Sequence, residues 1–252
     1  MPATSIVPTP PRLRNKTNRH LRRRDVPPEV LASPEFAKYY NALFNAYGPQ
    51  HWWPGRTRFE VIVGAILTQN TSWTNVERAI VELRREKALS PKTLERVPLA
   101  HLARLIRSSG YFRQKARKLK AFVHFLRVEY GGSLDKLFAT PTAELRQQLL
   151  RVHGIGPETA DSILLYAGRH PVFVVDAYTR RILERHNLAH GRHSYEEIQQ
   201  LFEQNLPSNA PLFNEYHALI VHTGKHFCRK RDPDCQHCAL YSFLPSPEEA
   251  RP

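Results

Sequence analysis

Four groups of residues have types and spacings that could do chemistry. The first is Asp176, which ends the apolar stretch Pro171-Val172-Phe173-Val174-Val175 and stands before Ala177-Tyr178-Thr179-Arg180-Arg181. A carboxylate there can cap the helix that follows, or it can present a fixed negative charge to a cation that develops during a reaction. The second is Val152-His153-Gly154-Ile155-Gly156-Pro157-Glu158-Thr159-Ala160. A Gly-x-Gly turn between two helices leaves amide groups at the start of the second helix unpaired, and such amides bind a phosphate oxygen. Pro157 suits the first helical position, where its missing N–H costs nothing. A plain structural turn would look the same, and a hairpin alone says nothing of chemistry. The third group is aromatic: Trp52-Trp53-Pro54, followed by Leu67-Thr68-Gln69-Asn70-Thr71 and Trp73. Adjacent tryptophans cannot share one helix face, so the rings either line a cavity or cover a core. The fourth is Cys228-x6-Cys235-x2-Cys238, the only cysteines of the chain.

The elements that must position these residues read as helices throughout. Ser33-Pro34-Glu35 is an N-cap, a first-turn proline and an early acid, and Phe36, Tyr40, Leu43, Phe44 and Tyr47 follow at helical spacing. Phe59 to Thr68 is nearly all apolar, as expected of a central helix buried on most faces. Helices are further expected over 73–85, 91–97, 99–106, 112–130, 134–138, 142–152, 157–167, 177–185, 195–205 and 212–227. No segment alternates with period two, so the fold class is all-α. The organisation expected is a basic tail over 1–32, a helical bundle lobe over 58–170 that ends in the hairpin, a discontinuous lobe from 33–57 plus 171–245 that carries the cysteines, and a short tail over 246–252. Asp176 then falls at the lobe junction.

Composition bounds the partners. Lys+Arg 37 against Asp+Glu 23 leaves a net charge of +14, which attracts polyanions such as nucleic acid or serves only as a solvated surface. The N-terminal tail has no acid before Asp25 and carries Arg22-Arg23-Arg24. It reads as a disordered arm that adds phosphate contacts, with a cleaved organellar presequence as the alternative. No apolar run approaches a membrane span, so a membrane partner is not expected. An odd, clustered set of cysteines argues against a disulfide framework. The expectation is a monomer, cytoplasmic in a bacterium and nuclear or organellar in a eukaryote.

Taken together, the hairpin, its spacing to Asp176 and the cysteine loop resemble the HhH-GPD superfamily of endonuclease III-like base-excision glycosylases, from about Trp52 to Cys238. The resemblance implies two α-helical lobes around a DNA cleft, duplex DNA with a damaged base as partner, and Asp176 as the catalytic carboxylate at a helix start. It also implies DNA contacts from Gly154, Ile155, Gly156 and Thr159. The lysine that forms the Schiff base in bifunctional members is replaced by Glu158, which cannot form an imine. That implies hydrolysis without strand cleavage, unless Lys225 or another lysine substitutes. The Trp-Trp-Pro start, the Thr-Gln-Asn-Thr loop and the Glu at the hairpin look most like the 3-methyladenine-DNA glycosylase III branch. There Trp52, Trp53 and Trp73 would line the pocket of an alkylated purine. Gln69 matches the residue inserted into the gap left by a flipped base, or is an ordinary polar cap.

Cys228, Cys235 and Cys238 match three ligands of the family's [4Fe-4S] loop, but the fourth position is Leu244. Three outcomes are open: a cubane on three thiolates with water or His237 as fourth donor, a Cys3His zinc site, or a loop that has lost its cluster. Arg229, Lys230 and Arg231 would turn charge towards DNA or simply be solvated. The rival functions are a bifunctional glycosylase/lyase for oxidised pyrimidines and a non-catalytic DNA-binding protein.

Overall fold

A computed structural model describes residues 34–246. The basic tail, the Ser33 cap and the C-terminal tail beyond Ser246 lie outside the described residues. Within them the chain forms twelve α-helices and no strand. They are α1 (Pro34–Tyr47), α2 (Arg58–Leu67), α3 (Trp73–Arg85), α4 (Pro91–Arg96), α5 (Leu99–Leu105), α6 (Phe112–Tyr130), α7 (Leu134–Ala139), α8 (Thr142–Leu150), α9 (Pro157–Ser162), α10 (Ala177–Arg185), α11 (Tyr195–Asn205) and α12 (Ala210–His226).

Local chemistry starts most of these helices. Thr57 caps α2, Ser133 caps α7, Asn209 caps α12, and Ser90 and Ser194 form capping boxes with Thr93 and Glu197. Each replaces a water bond to an orphan amide, worth about 1 kcal/mol. Every residue of α2 from Phe59 to Leu67 is buried, as its apolar run demands. The helix expected over 157–167 is not uniform. It is α-helical as α9 and then widens to a π-helical turn over Ile163–Gly168, a change that leaves no mark in the apolar pattern.

The described apolar core falls into two clusters. One runs from Phe59 to Val172 around α2 and α6. The other joins Phe36, Tyr39, Tyr40 and Leu43 of α1 to Phe173–Val175 and to the inner faces of α10, α11 and α12. Tyr166 packs against both.

A buried ionic knot ties the two clusters. Asp161 of α9 is 0% exposed. It accepts hydrogen bonds from Arg146 Nε at 2.8 Å and Nη2 at 3.1 Å, and from Gln199 Nε2 at 2.8 Å. Removing one partner of such a pair strands an unsolvated charge, whereas a matched apolar replacement of the whole group need not destabilise. Arg146→Ala should therefore cost about 3–5 kcal/mol in urea unfolding, against less than that for Arg146→Ala combined with Asp161→Leu. Equal losses in both variants would show that the charge is not what the arginine satisfies.

Candidate active site at the lobe junction

The turn between α8 and α9 places Gly154 at φ 82, a left-handed conformation. A Cβ there would also collide with the Lys118 side chain, so glycine is required twice over. Gly156 is different. Its backbone is extended, and a Cβ would meet nothing within 4 Å. Its bareness keeps the face in front of α9 open, and no side chain caps that helix start among the described residues. Ile155 is buried and anchors the turn in the bundle core, while Thr159 is 6% exposed and faces inward.

Gln69 is not free. Its Nε2 donates to Gly154 O at 3.0 Å and to Thr159 Oγ1 at 2.8 Å, and its Oε1 accepts from Lys118 Nζ at 2.5 Å. The residue thus staples the α2–α3 turn to the hairpin. The neighbouring Asn70 is exposed, at φ 53.

Asp176 is the N-cap of α10. Its Oδ1 accepts from Thr179 N at 2.7 Å and Thr179 Oγ1 at 2.9 Å. Its Oδ2 lies 3.6 Å from His217 Nε2, and its side chain is 13% exposed. No lysine or arginine ion-pairs with it among the described residues. Both roles of Asp176, as cap and as presented charge, therefore fit one side chain, because capping uses one oxygen only. His217, on α12, is 5% exposed, and its Nδ1 shares a 2.5 Å hydrogen bond with the Tyr166 hydroxyl. Burial holds the imidazole below its ordinary range although the Asp176 charge pulls the other way. Burial, followed by the charge of Asp176, also raises the Tyr166 hydroxyl.

Glu158 faces the same negative charge. It is exposed at the surface, yet desolvation by the protein around it, followed by repulsion from Asp176, pushes its carboxyl up to about 7.

The three tryptophans come together. Trp53 contacts Trp52 at 5.2 Å and Trp73 at 5.1 Å between ring centroids, both edge to face, and Trp52 lies 6.2 Å from Trp73. Trp53 continues to Tyr166 at 5.0 Å, so an aromatic chain runs from the tryptophans to the Asp176 dyad. The Trp73 indole donates to Glu77 at 2.8 Å. The Nε1 atoms of Trp52 and Trp53 are buried without a hydrogen-bond partner. Trp52 Nε1 acts on the Tyr166 hydroxyl and favours its ionised form, although it falls short of hydrogen-bond geometry. Tyr166, His217 and Lys118 were not singled out by sequence reasoning. The first two sit in apolar helical runs and read as core, and Lys118 is one of several basic residues on α6.

The cysteines converge on one small cavity, lined also by Arg185, His186, Leu240 and Leu244. Arg185 Nη1 donates to Cys228 Sγ at 3.1 Å, and burial raises the Cys238 thiol. The free volume is about 10 Å³, room for one water. Leu244 turns an apolar side chain into the place of a fourth ligand. His237 does not supply it: its side chain is 75% exposed and bonds Asp234 at 2.7 Å. The described residues bring no set of three metal-ligating groups within reach of one ion. The donor set does not fit a fully coordinated cluster. Arg229, Lys230 and Arg231 are exposed in the same loop, with the Arg229 guanidinium turned back on Asp232 O and His226 O. Lys225 is exposed in the last turn of α12, and no ion pair joins it to Asp176 among the described residues.

Comparison with known proteins agrees with this geometry. Residues 63–208 match the family described as HhH-GPD superfamily base excision DNA repair protein. A Methanocaldococcus jannaschii protein with the provisional name of DNA repair glycosylase is 47% identical over 208 residues, covering 82% of this chain and 94% of its own. The H. pylori 3-methyladenine DNA glycosylase bound to 1,N6-ethenoadenine superposes with a TM-score of 0.64 at 28% identity, covering 75% of this chain and 97% of its own. A trapped endonuclease III–DNA covalent intermediate shares the fold, with a TM-score of 0.72 at 22% identity over 83% of this chain and 94% of its own. By its matched domain and by the 47% identical Methanocaldococcus jannaschii relative, the chain belongs to the HhH-GPD superfamily of base-excision DNA repair proteins.

Proposed function

We propose that the protein binds duplex DNA as a monomer, flips out an alkylated purine and hydrolyses its N-glycosidic bond with Asp176, without cutting the strand. The observation that carries this reading is the state of Asp176. It is a mostly buried carboxylate with one oxygen held by Thr179, ion-paired with no lysine or arginine among the described residues, at the end of an aromatic chain. Loss of the base leaves positive charge on the sugar, and a pre-oriented carboxylate in a dry site stabilises that charge without reorganising. The base must leave the stack first, and the open hairpin supplies amides to hold a phosphate while it does so. Cationic alkylpurines gain about 0.5–2 kcal/mol on tryptophan faces that normal bases lack. Trp53 packs edge to face on Trp52 and on Trp73, and Trp52 is tilted against Trp73, so this reading requires the rings to part when a base enters.

Dimethyl sulfate-treated duplex DNA provides the test. Wild type should release methylated purines and leave abasic sites intact, and Asp176→Asn should slow release at least about 10²-fold with DNA affinity kept. A wild type that releases nothing from this DNA but does from oxidised-pyrimidine duplexes would replace the substrate class. Unchanged release by Asp176→Asn would remove the carboxylate from the mechanism.

The position of Glu158 governs strand cleavage. Wild type incubated with abasic DNA and borohydride should give no covalent adduct, while Glu158→Lys should give one, because an amine then stands beside the same sugar. Efficient trapping of wild type would point to another lysine and to a bifunctional enzyme.

Glu158 also makes stability pH-dependent. Its folded carboxyl titrates near 7 against 4.5 when unperturbed, so the folded state binds the proton more tightly. Stability from this group is complete below pH 4.5 and falls as pH rises through about 7. Glu158→Gln should flatten that slope in melting curves recorded from pH 4.5 to 8. An unchanged slope would place the titration elsewhere.

A further inference from the structure

The proposed hydrolysis leaves the Tyr166–His217 pair without a part, yet the pair is built onto Asp176. His217 Nε2 is buried with no hydrogen-bond partner, and a buried polar nitrogen left open needs a physical reason. The atom it faces, Asp176 Oδ2, is the oxygen that Thr179 does not hold. The other ring nitrogen is bonded to Tyr166, which is itself reached by Trp53 and Trp52 of the aromatic chain.

The proton positions follow from the partners. An ionised carboxylate only accepts, so the nitrogen facing it carries the hydrogen. A neutral ring then has a bare Nδ1, and the Tyr166 hydroxyl must donate to it. Burial disfavours the doubly protonated ring, so the neutral tautomer is the one that stands. The chain therefore has one direction: Tyr166 O–H to Nδ1, and Nε2–H to Asp176. Catalytic hydrogen bonds are often long before substrate binds, and 3.6 Å leaves a gap that a small shift of Asp176 closes.

We infer that Tyr166 and His217 are positioning residues that fix the second oxygen of Asp176 while charge develops on the sugar. This rests on Asp176 being the catalytic carboxylate. His217 touches neither sugar nor base in this role and acts only through Asp176. The titratable groups around the pair are Asp176 against His217, with Asp176 and Glu158 against Tyr166.

The test uses the full chain as His217→Phe, His217→Gln, Tyr166→Phe and Asp176→Asn, with melting curves for each. Two readouts are independent of each other. One is the carboxyl carbon resonance of Asp176 by NMR, assigned by its loss in Asp176→Asn. The other is single-turnover release from dimethyl sulfate-treated duplex, beside affinity for a duplex with a tetrahydrofuran abasic analogue. In His217→Phe the donor is gone, so the Asp176 carboxyl resonance should move away from its wild-type position. Release should fall about 10²-fold with affinity for the abasic duplex unchanged, the loss typical of a misplaced reacting group. His217→Gln keeps an N–H donor and should recover most of both, and Tyr166→Phe should fall between.

A His217→Phe protein with an unchanged Asp176 resonance and unchanged release overturns the inference. So do equal losses in His217→Phe and His217→Gln that track a fall in melting temperature, since that is packing alone. Full activity in Asp176→Asn would instead overturn the reading beneath it. An inactive Asp176→Asn beside an unaffected His217→Phe removes only the dyad.

Discussion

A chain that runs extended through a protein interior must bring partners for its backbone, because no strand lies beside it to supply them. From Val172 at the edge of the first cluster, Phe173, Val174 and Val175 run into the second almost fully buried. Helix α11 provides what a sheet would. Glu203 accepts from Phe173 N at 2.8 Å, Gln199 donates to Phe173 O at 2.7 Å, and the Tyr195 hydroxyl accepts from Val175 N at 3.3 Å. Unpaired amides and carbonyls here would each lose a desolvation penalty's worth of stability, about 1–3 kcal/mol. Asp176 is the next residue, so its place is set by a segment whose conformation is fixed from the side. The same Gln199 amide also bonds Asp161, which couples this crossing to the hairpin helix.

Much of this was legible in residue order. Capping residues, prolines and apolar spacing place the helices within a residue or two, because these signals act locally and survive without tertiary context. Asp176 was visible because an acid that breaks an apolar run at a helix start stands out from its neighbours, and the tryptophans because adjacent indoles need shared cover. Residues whose meaning depends on a distant partner were hidden. Tyr166 and His217 are separated by 51 positions, Gln69 and Thr159 by 90, and Asp161 and Gln199 by 38. No local pattern marks such pairs. The π-helical turn is likewise silent in sequence, since it changes hydrogen-bond register and leaves the apolar face intact.

Gln69 shows how a residue that fits a local pattern can also make contacts the pattern does not foretell. The sequence offered it as a gap filler or a polar cap, and the structure engages both ends of its amide in holding the hairpin. Beside it, Asn70 has the exposure and the left-handed backbone of a turn apex. The cysteine loop is a second case. Its three thiols and Leu244 share one cavity, so the leucine is where the pattern put a ligand but contributes packing in its stead.

Helices α10 and α12 approach so closely that a methyl group on Gly224 would sit 2.5 Å from the Tyr178 ring. Asp176 begins the first of these helices and His217 lies on the second, about two turns before Gly224. The bare glycine acts as a spacer gauge: the clearance between the rods at one point sets the carboxylate–imidazole gap at another. Thickening the gauge by a single carbon would pivot the rods apart and carry the carboxylate of one away from the imidazole of the other.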